Sequence, residues 1–178
     1  MALKSTILKA ELSVADIDRG YYRDHVLTIA QHPSETDERL MVRLLAFALH
    51  ADDALAFGRG LSTEDEADLW QRDATGAIEL WIDVGLPAEK DLRKACGRAR
   101  QVVVLAYGAR RVEQWWSDNA PGLSRLANLK VFTLAAEETE ALQALAARSM
   151  TLTCTVQDGH VWLAAERTTV EVTPVRRS

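Results

Sequence analysis

The fold is decided by two short stretches of sequence, ADLW at residues 67–70 and IELWIDVG at residues 78–85. Apolar side chains alternate with other side chains along the second stretch, which is typical of a half-buried β-strand because successive side chains point to opposite faces. Turn-forming residues at 74–76 separate the two stretches, so we predict an antiparallel hairpin. In this hairpin Asp83 is expected to be the diagonal neighbour of Asp68 on the same face.

Asp68 and Asp83 are therefore candidates for sharing one ion. Two carboxylates on neighbouring strands repel each other unless a proton or a cation lies between them. Hard oxygen ligands suit Mg²⁺ or Mn²⁺, and such an ion lowers the pKa of bound water and stabilises displacement at a phosphodiester. The alternative is a solvated polar face, in which the carboxylates pair with Arg72 or Lys94.

Helical periodicity flanks the hairpin on both sides. Apolar residues recur at helical spacing over Glu35–His50, with Ser34 as the expected N-cap. A short strand is predicted at Leu55–Phe57, and Pro87 suits the first turn of a helix that runs to about residue 98. The continuous apolar run Val102–Ala106 is typical of a strand that is buried on both faces. The predicted order is thus helix, three strands, helix and strand.

Further strands are expected before and after this core. Residues Thr6–Asp16 and Val26–Gln31 form a predicted N-terminal hairpin. The C-terminal part, residues 108–178, is predicted to contain helices, with a break at Pro121-Gly122, and a hairpin turning at 157–159. We predict one α+β domain over residues 1–178, with a mixed central β-sheet flanked by helices.

Composition excludes several classes of protein. The chain has 178 residues and two cysteines, Cys96 and Cys154, which excludes a disulfide scaffold and a four-cysteine zinc module. A signal peptide and an apolar run of membrane-spanning length are both missing from the sequence, so we expect a soluble cytoplasmic protein without a membrane partner. A glycine-rich phosphate loop is absent as well.

The charged residues are distributed unevenly along the chain. The 21 lysines and arginines and 26 acidic residues give a net charge of −5. Acidic residues concentrate in the segment Asp52–Asp68, and basic residues concentrate in Lys90–Arg111. A cation held by the first segment and an anionic substrate held by the second would use this arrangement, although two solvated surfaces would have the same pattern.

Longer stretches beyond the hairpin resemble a known family. They are HPSETDER at residues 32–39, DLWQ at 68–71, IELWIDVG at 78–85 and RKACGR at 93–98. With these stretches the chain resembles the YaeQ family of bacterial proteins over essentially its whole length. The resemblance implies the PD-(D/E)XK nuclease-like fold, also called the restriction-endonuclease-like fold, with an αβββαβ core at about residues 35–107.

The superfamily motif can be matched to this chain residue by residue. Asp68 matches the first acid, with Ala67 where the motif has proline. Asp83 matches the second acid, and Glu79 is the alternative for that position. The resemblance therefore implies that Asp68 and Asp83 are the ligands of Mg²⁺ or Mn²⁺.

The motif's lysine should stand two residues after the second acid, where this chain has Gly85. In variants of the superfamily this lysine comes from the next helix, and Lys94 is then its counterpart. Glu38, in the first turn of the preceding helix, matches the accessory acid that some members use. The catalytic residues implied by the resemblance are Asp68, Asp83, Lys94 and Glu38.

Two functions stay open at this point. The first is a metal-dependent nuclease or phosphodiesterase acting on nucleic acid, in which Arg98 and Trp81 contact the substrate. The second is a catalytically inactive nuclease-like module that binds nucleic acid or a protein and is linked to transcription. The position of Lys94 distinguishes the two functions, because the strand has Gly85 in place of the lysine and a nuclease would need Lys94 near the acid pair. The sequence leaves open whether the chain is an enzyme.

Overall fold

The computed structural model describes residues 4–59 and 65–178 and has a mixed α+β fold. Part of the predicted acidic segment, including Glu64, lies outside the described residues. The strands in the described part are β1 Thr6–Asp16, β2 Tyr21–Gln31, β3 Leu55–Phe57, β4 Leu69–Arg72, β5 Ile78–Val84, β6 Ala99–Ala106, β7 Leu129–Thr133, β8 Ser149–Gln157, β9 His160–Ala164, β10 Thr169–Val172 and β11 Val175–Arg176. The helices there are α1 Asp37–Leu49, α2 Glu89–Arg98, α3 Arg110–Leu123 and α4 Ala136–Gln143.

The predicted order of helix, three strands, helix and strand is present as α1, β3, β4, β5, α2 and β6. These strands belong to a six-stranded sheet with the order β11-β7-β6-β5-β4-β3. β5, β6 and β7 run parallel, whereas β3, β4 and β5 are antiparallel neighbours. The carboxyl ends of the three parallel strands therefore meet at one edge of the sheet, and Asp83 lies there, next to the last residue of β5.

The predicted mixed central sheet is present, but β1, β2, β8, β9 and β10 form a second sheet that the sequence did not predict. This five-stranded sheet has the order β10-β9-β8-β1-β2. β1 pairs with β2 in antiparallel and with β8 in parallel orientation, and β8, β9 and β10 are antiparallel neighbours. A second sheet is needed because α1 is apolar on every side and must be covered from two directions.

Helix α1 lies in the first of two hydrophobic clusters. Every residue from Leu40 to Ala48 is buried. The cluster joins α1 and α4 to residues of both sheets. The other face of the six-stranded sheet packs against α2 and α3 and forms the second cluster, which includes Leu92, Val104 and Leu123. The six-stranded sheet is thus covered on both faces, as a sheet with parallel strands requires.

The start of α1 differs from the prediction. Thr36, and not Ser34, is the N-cap, and its hydroxyl accepts a hydrogen bond from the Arg39 backbone N–H at 3.1 Å. The Ser34 hydroxyl instead lies 2.6 Å from Nδ1 of His32. The helix begins later because Glu35 is buried and binds two arginines, which fixes the residues before it in a turn.

The C-terminal part also differs in its helices. α3 continues through Pro121 to Leu123 instead of ending before the proline. Leu123 is fully buried, and this burial holds the last turn in place despite the backbone hydrogen bond that the proline lacks. The predicted hairpin at 157–159 is confirmed as β8 and β9, where Asp158 and Gly159 have φ values of 51° and 77°.

Two further expectations can be compared with the structure. Cys96 and Cys154 are both free, and Cys154 is buried. The helices of residues 4–59 and 65–178 include none that is long and apolar enough to cross a membrane.

A buried ion pair connects α1 to the strand before it. Arg43 Nη2 lies 2.5 Å from Glu35 Oε1, and the two side chains are 2% and 1% exposed. The same nitrogen donates to the Ala30 carbonyl at 2.9 Å. Since a buried charge without its partner is strongly destabilising, Glu35 and Arg43 depend on each other.

We predict that Glu35→Gln lowers the free energy of unfolding by about 3 kcal/mol, because the guanidinium of Arg43 then lies buried without a counter-charge. Urea denaturation monitored by circular dichroism measures the change. The matched control is Glu89→Gln, which breaks the exposed ion pair with Arg93 on α2 and should cost less than about 1 kcal/mol. Equal losses in the two variants would contradict the prediction.

Candidate functional site

The acid pair lies at one end of the β4–β5 hairpin. Leu69 pairs with Ile82, so one step further Asp68 stands directly opposite Asp83. The Asp68 backbone N–H donates to Asp83 Oδ1 at 3.3 Å. The predicted diagonal arrangement is therefore replaced by a closer one. One residue of the difference comes from the register shift at residues 71–72, and one from the turn, since Arg72 pairs with Ile78 and not with residue 77.

Asp68 has a donor on each of its carboxylate oxygens. Arg39 Nη2 donates to Oδ1 at 2.7 Å, and the Val84 backbone N–H donates to Oδ2 at 2.8 Å. The side chain is only 13% exposed. Asp68 is therefore a fixed, ion-paired carboxylate, and its partner is Arg39 and not Arg72 or Lys94.

Asp83 lies in a less favourable environment for a charge. Burial raises the pKa of its carboxyl from 3.8 to about 6, and the Asp68 carboxylate acts in the same direction. The Trp81 indole N–H, the Asp68 backbone N–H and Arg39 oppose the rise. The Trp81 N–H is buried and its geometry falls short of a full hydrogen bond. The carboxyl of Asp83 is therefore easier to protonate than that of an ordinary aspartate.

The charges around Asp83 act in addition to its burial. Arg39 Nη1 lies 2.7 Å from Glu35 Oε2, and the other oxygen of Glu35 binds Arg43. Two guanidinium groups thus face the three carboxyl groups of Glu35, Asp68 and Asp83. Glu35 and Asp68 have an arginine partner in an ion pair, whereas no ion pair of the described residues includes Asp83. The Asp68 carboxylate therefore adds to the effect of burial on the pKa of Asp83.

Glu38 contacts another part of the molecule. Its Oε1 accepts a hydrogen bond from the Thr139 hydroxyl on α4 at 2.7 Å. Tyr107, directly after β6, lies among these charges, since Arg39, Glu38, Glu35 and Asp68 all influence its pKa. Burial raises the pKa of the Tyr107 phenol to about 12, so this group stays protonated and can donate a hydrogen bond.

Lys94 and Arg98 occupy the exposed side of α2. Lys94 is 70% exposed, and its Nζ lies 3.7 Å from Asp65 Oδ1. Arg98 donates to the Asp65 carbonyl at 2.8 Å, and its guanidinium lies 5.1 Å from the centre of the Trp81 ring. The structure thus brings Arg98 to Trp81, whose side chain is buried, and places Lys94 beside Asp65 instead of beside the acid pair.

Two more residues extend this contact into a row. The rings of Trp70 and Trp81 meet edge to face at 5.8 Å, and the Arg72 guanidinium lies 4.4 Å over Trp70. We call Arg72, Trp70, Trp81 and Arg98 the Arg–Trp row. Trp70 and Trp81 are paired in the strands, two residues along from Asp68 and Asp83, so the row begins next to the acid pair on the same face.

The donor set fits a hard divalent ion. Mg²⁺ is commonly bound through one or two carboxylates and keeps several waters, and Asp68 and Asp83 bring two carboxyl groups together. The described residues contain no group of three histidine, cysteine or acidic side chains that could hold a metal. An ion at this position competes with Arg39 for Oδ1 of Asp68.

Sequence reasoning missed several of these residues. Arg39 lies in the resembling stretch 32–39 without a predicted role, yet Glu35, Arg39 and Arg43 are spaced by four residues, as ion pairs on one helix face are. No sequence pattern predicts the position of Tyr107, because the charged residues around it belong to α1 and to the segment before β4, which are remote in sequence. The contacts of Trp70 with Trp81 and with Arg72 could not be predicted, because they depend on the register shift at residues 71–72.

We predict that Asp83→Asn raises the free energy of unfolding by about 1 kcal/mol at pH 7.5, because the variant carries no charge beside Asp68. The folded pKa of Asp83, about 6, lies above its ordinary value of 3.8. Ionised Asp83 therefore costs stability as the pH rises through 6, and this cost vanishes below about pH 4. The gain should accordingly disappear at pH 4. Urea denaturation at both pH values measures it.

A variant that is less stable than the parent at pH 7.5 would identify Asp83 as a structural carboxylate and contradict this prediction. The control is Asp118→Asn, which changes an exposed carboxylate on α3 that accepts a hydrogen bond from Gln114 at 2.8 Å. Its effect should be within about 0.5 kcal/mol at either pH.

The chain is similar to proteins of several bacteria. It is 45% identical over 172 residues to a protein of Escherichia coli (strain K12), which covers 97% of this chain and 95% of the relative. The identity to a protein of Salmonella typhi is 46% over 172 residues, with the same coverage. Both relatives carry the name uncharacterized protein YaeQ.

Two solved structures agree closely with this fold. The crystal structure of the YaeQ protein from Xanthomonas axonopodis pv. citri matches with a TM-score of 0.95 and 55% identity over 98% of both chains. That from Pseudomonas syringae matches with a TM-score of 0.93 and 36% identity over 98% of this chain and 96% of the other. The family model described as YaeQ protein matches residues 1–174. The chain therefore belongs to the YaeQ family.

Proposed function

We propose that this chain is a metal-dependent nuclease of the PD-(D/E)XK type, which hydrolyses phosphodiester bonds in nucleic acid with Mg²⁺ or Mn²⁺ held by Asp68 and Asp83. The observation that carries the proposal is the direct opposition of these two carboxyls in a cluster that lacks one positive charge. A divalent ion would supply that charge and relieve the repulsion between the two carboxylates.

The arrangement of strands supports the same proposal. The αβββαβ order places the acid pair where the antiparallel β4–β5 hairpin meets the parallel strands. Ligands commonly bind at the carboxyl ends of parallel strands, because the chain leaves the sheet there and opens a crevice. Asp83 lies at this end of β5, and Tyr107 follows β6 at the same edge.

The side chains of the site have distinct parts in the proposed reaction. When bound, the ion supplies a water of lowered pKa and stabilises negative charge on the phosphodiester. Asp68 and Asp83 hold the ion as carboxylates. Arg39, once released from Asp68, keeps its bond to Glu35 and offers its free guanidinium nitrogen to a phosphate oxygen. In this role Arg39 provides the positive charge that the absent strand lysine would supply.

The Arg–Trp row provides a binding face for the nucleic acid. Arg72 and Arg98 are exposed cations that can neutralise phosphates. Trp70 is half-buried and presents an aromatic surface on which a base can stack. The row leads along β4 and β5 toward the acid pair, so a strand bound to it passes the proposed metal ligands.

We predict that the purified protein cleaves plasmid, linear DNA or RNA in the presence of Mg²⁺ or Mn²⁺ and that chelation stops cleavage. Asp83→Ala should reduce cleavage to the level measured without metal, because one of the two ligands is lost. Gel assays measure cleavage, and titration calorimetry measures the affinity for Mn²⁺.

The matched control for this experiment is Asp118→Asn, which should retain full cleavage and metal binding. Cleavage that survives Asp83→Ala comes from a contaminating enzyme. A protein that neither binds Mn²⁺ nor cleaves any substrate contradicts the proposed nuclease.

One observation favours a second candidate function, a nuclease-like module without turnover. Arg39 already occupies the Asp68 oxygen that an ion needs, at 2.7 Å and with little exposure of either side chain. Lys94, the implied replacement for the strand lysine, pairs with Asp65 at the surface. On this alternative the Arg–Trp row binds nucleic acid or a protein, and the acid pair serves to hold the row in place.

The second candidate predicts binding without metal. Single-stranded oligonucleotides should bind in the presence of a chelator, and Arg98→Ala should reduce the slope of log affinity against log salt by about 0.7, as expected for one lost phosphate contact. Fluorescence anisotropy over a range of salt concentrations measures the slope. Arg167→Ala, on the exposed turn between β9 and β10, removes the same charge far from the row and should leave the slope unchanged. An unchanged slope in Arg98→Ala contradicts the role of the row.

A further inference from the structure

The four edges of the two sheets differ greatly in length. Three edge strands within the described residues are short, since β10, β3 and β11 have 4, 3 and 2 residues. β2, in contrast, is an edge strand of 11 residues. It contains no proline or lysine and pairs with β1 without any shift of register from Tyr21 to Gln31. Its charged residues, Arg23 and Asp24, both lie near one end of the strand. Natural proteins usually protect such an edge with a proline, a lysine or a shift of register.

The polar backbone groups on the free side of β2 can be assigned. The Lys9 and Ile17 backbone N–H groups donate to carbonyls of Arg148 and Val156, so odd-numbered residues of β1 face β8. Even-numbered residues of β1 therefore pair with the odd-numbered residues of β2. The residues of β2 that direct N–H and C=O to the free edge are Tyr22, Asp24, Val26, Thr28 and Ala30.

The side chains of these same residues lie on the outer face of the sheet. Val26 is 81% exposed and Tyr22 is 62% exposed, and Ile7, the neighbour of Ala30 on β1, is 54% exposed. Three of the five large hydrophobic residues that are exposed in the described part thus belong to one side of the β1–β2 hairpin. Exposed apolar surface next to unpaired backbone groups is typical of an interface.

We infer that β2 pairs with β2 of a second copy of this chain, in antiparallel orientation around a two-fold axis at Val26. This register is the one two-fold arrangement that pairs all 11 residues of the strand. Val26 then meets its own copy, Asp24 meets Thr28, and Tyr22 meets Ala30. The two five-stranded sheets join into one continuous sheet of ten strands, with an isologous interface.

Charge and shape agree with this register. Asp24 of one copy lies beside Thr28 of the other, and Lys9 is the next residue in the same row because it pairs with Thr28. The row thus brings an acid of one copy toward an amine of the other. A register centred on Asp24 would instead place two carboxylates together, which is destabilising. The Ala30 carbonyl already accepts a hydrogen bond from Arg43. The backbone hydrogen bonds nearest the axis, at Val26 and between Asp24 and Thr28, therefore stabilise the pairing most.

This inference does not rest on the proposed nuclease activity, and it is tested on the full chain without metal or substrate. Analytical ultracentrifugation over a wide concentration range should show a dimer. Val26→Lys places two ammonium groups on the axis and should weaken dimerisation at least tenfold. Thr151→Lys is the matched control, because Thr151 is exposed on the same outer face, on β8 and away from the edge. It should leave the dimer intact.

A designed cysteine tests the register itself, in a Cys96→Ser background. Val26→Cys places two sulfur atoms across the axis, where paired Cα atoms are about 5.5 Å apart and a disulfide can form. Thr28→Cys, at an equally exposed position, places its two copies about 14 Å apart. In a glutathione redox buffer Val26→Cys should form the crosslinked dimer and Thr28→Cys should not.

Three outcomes overturn the inference. The first is a monomer at every concentration. The second is a dimer that is unaffected by Val26→Lys and forms no disulfide through Val26→Cys, which places the interface elsewhere. The third is a chain that does not pair with its own copy and whose β2 edge instead binds an extended strand of another protein. Circular dichroism of each variant verifies that the fold is retained.

Discussion

The buried pair of Glu35 and Arg43 is the interaction on which the arrangement of the other parts depends. Arg43 lies on a helix that is covered on every side, and its guanidinium binds both Glu35 and the end of β2. Glu35 uses its second oxygen for Arg39, which in turn binds Asp68. Four charged side chains thus connect the five-stranded sheet, the central helix and the start of β4. Each depends on the next because buried charges need partners.

Two arginines, Arg39 and Arg43, form the ion pairs of this chain of charges. With Asp83 the cluster has three carboxyl groups, and Asp83 is the one without an arginine partner. A core that served stability alone would place an apolar residue there or provide a third arginine. The protein instead keeps a second carboxyl opposite Asp68, where desolvation raises its pKa. Carboxyls with strongly shifted pKa values are common at functional sites, because binding of a cation or proton can then be coupled to another event. The surrounding ion pairs make the site rigid before any ligand arrives.

Much of the fold could be predicted from the sequence, and the failures have identifiable causes. The periodicity of α1 and the alternation along β5 predicted both elements, since each pattern is local. The assignment of β1 to a second sheet could not be derived, because its partner β8 lies far along the chain and alternation does not specify a partner. The acid pair was predicted, but its register was wrong owing to the turn and to the shift at residues 71–72. Arg39 was missed because its partner Asp68 is remote in sequence.

The parallel pairing of β1 with β8 has a consequence for biosynthesis. Lys9 pairs with Ser149, about 140 residues further along the chain. While the ribosome is still making the middle of the protein, the β1–β2 hairpin has no third strand and the apolar surface of α1 lacks half of its cover. Closing so long a loop is slow, and incomplete sheets expose edges that aggregate. The free side of β1 and the apolar surface of α1 therefore stay uncovered until β8 leaves the exit tunnel.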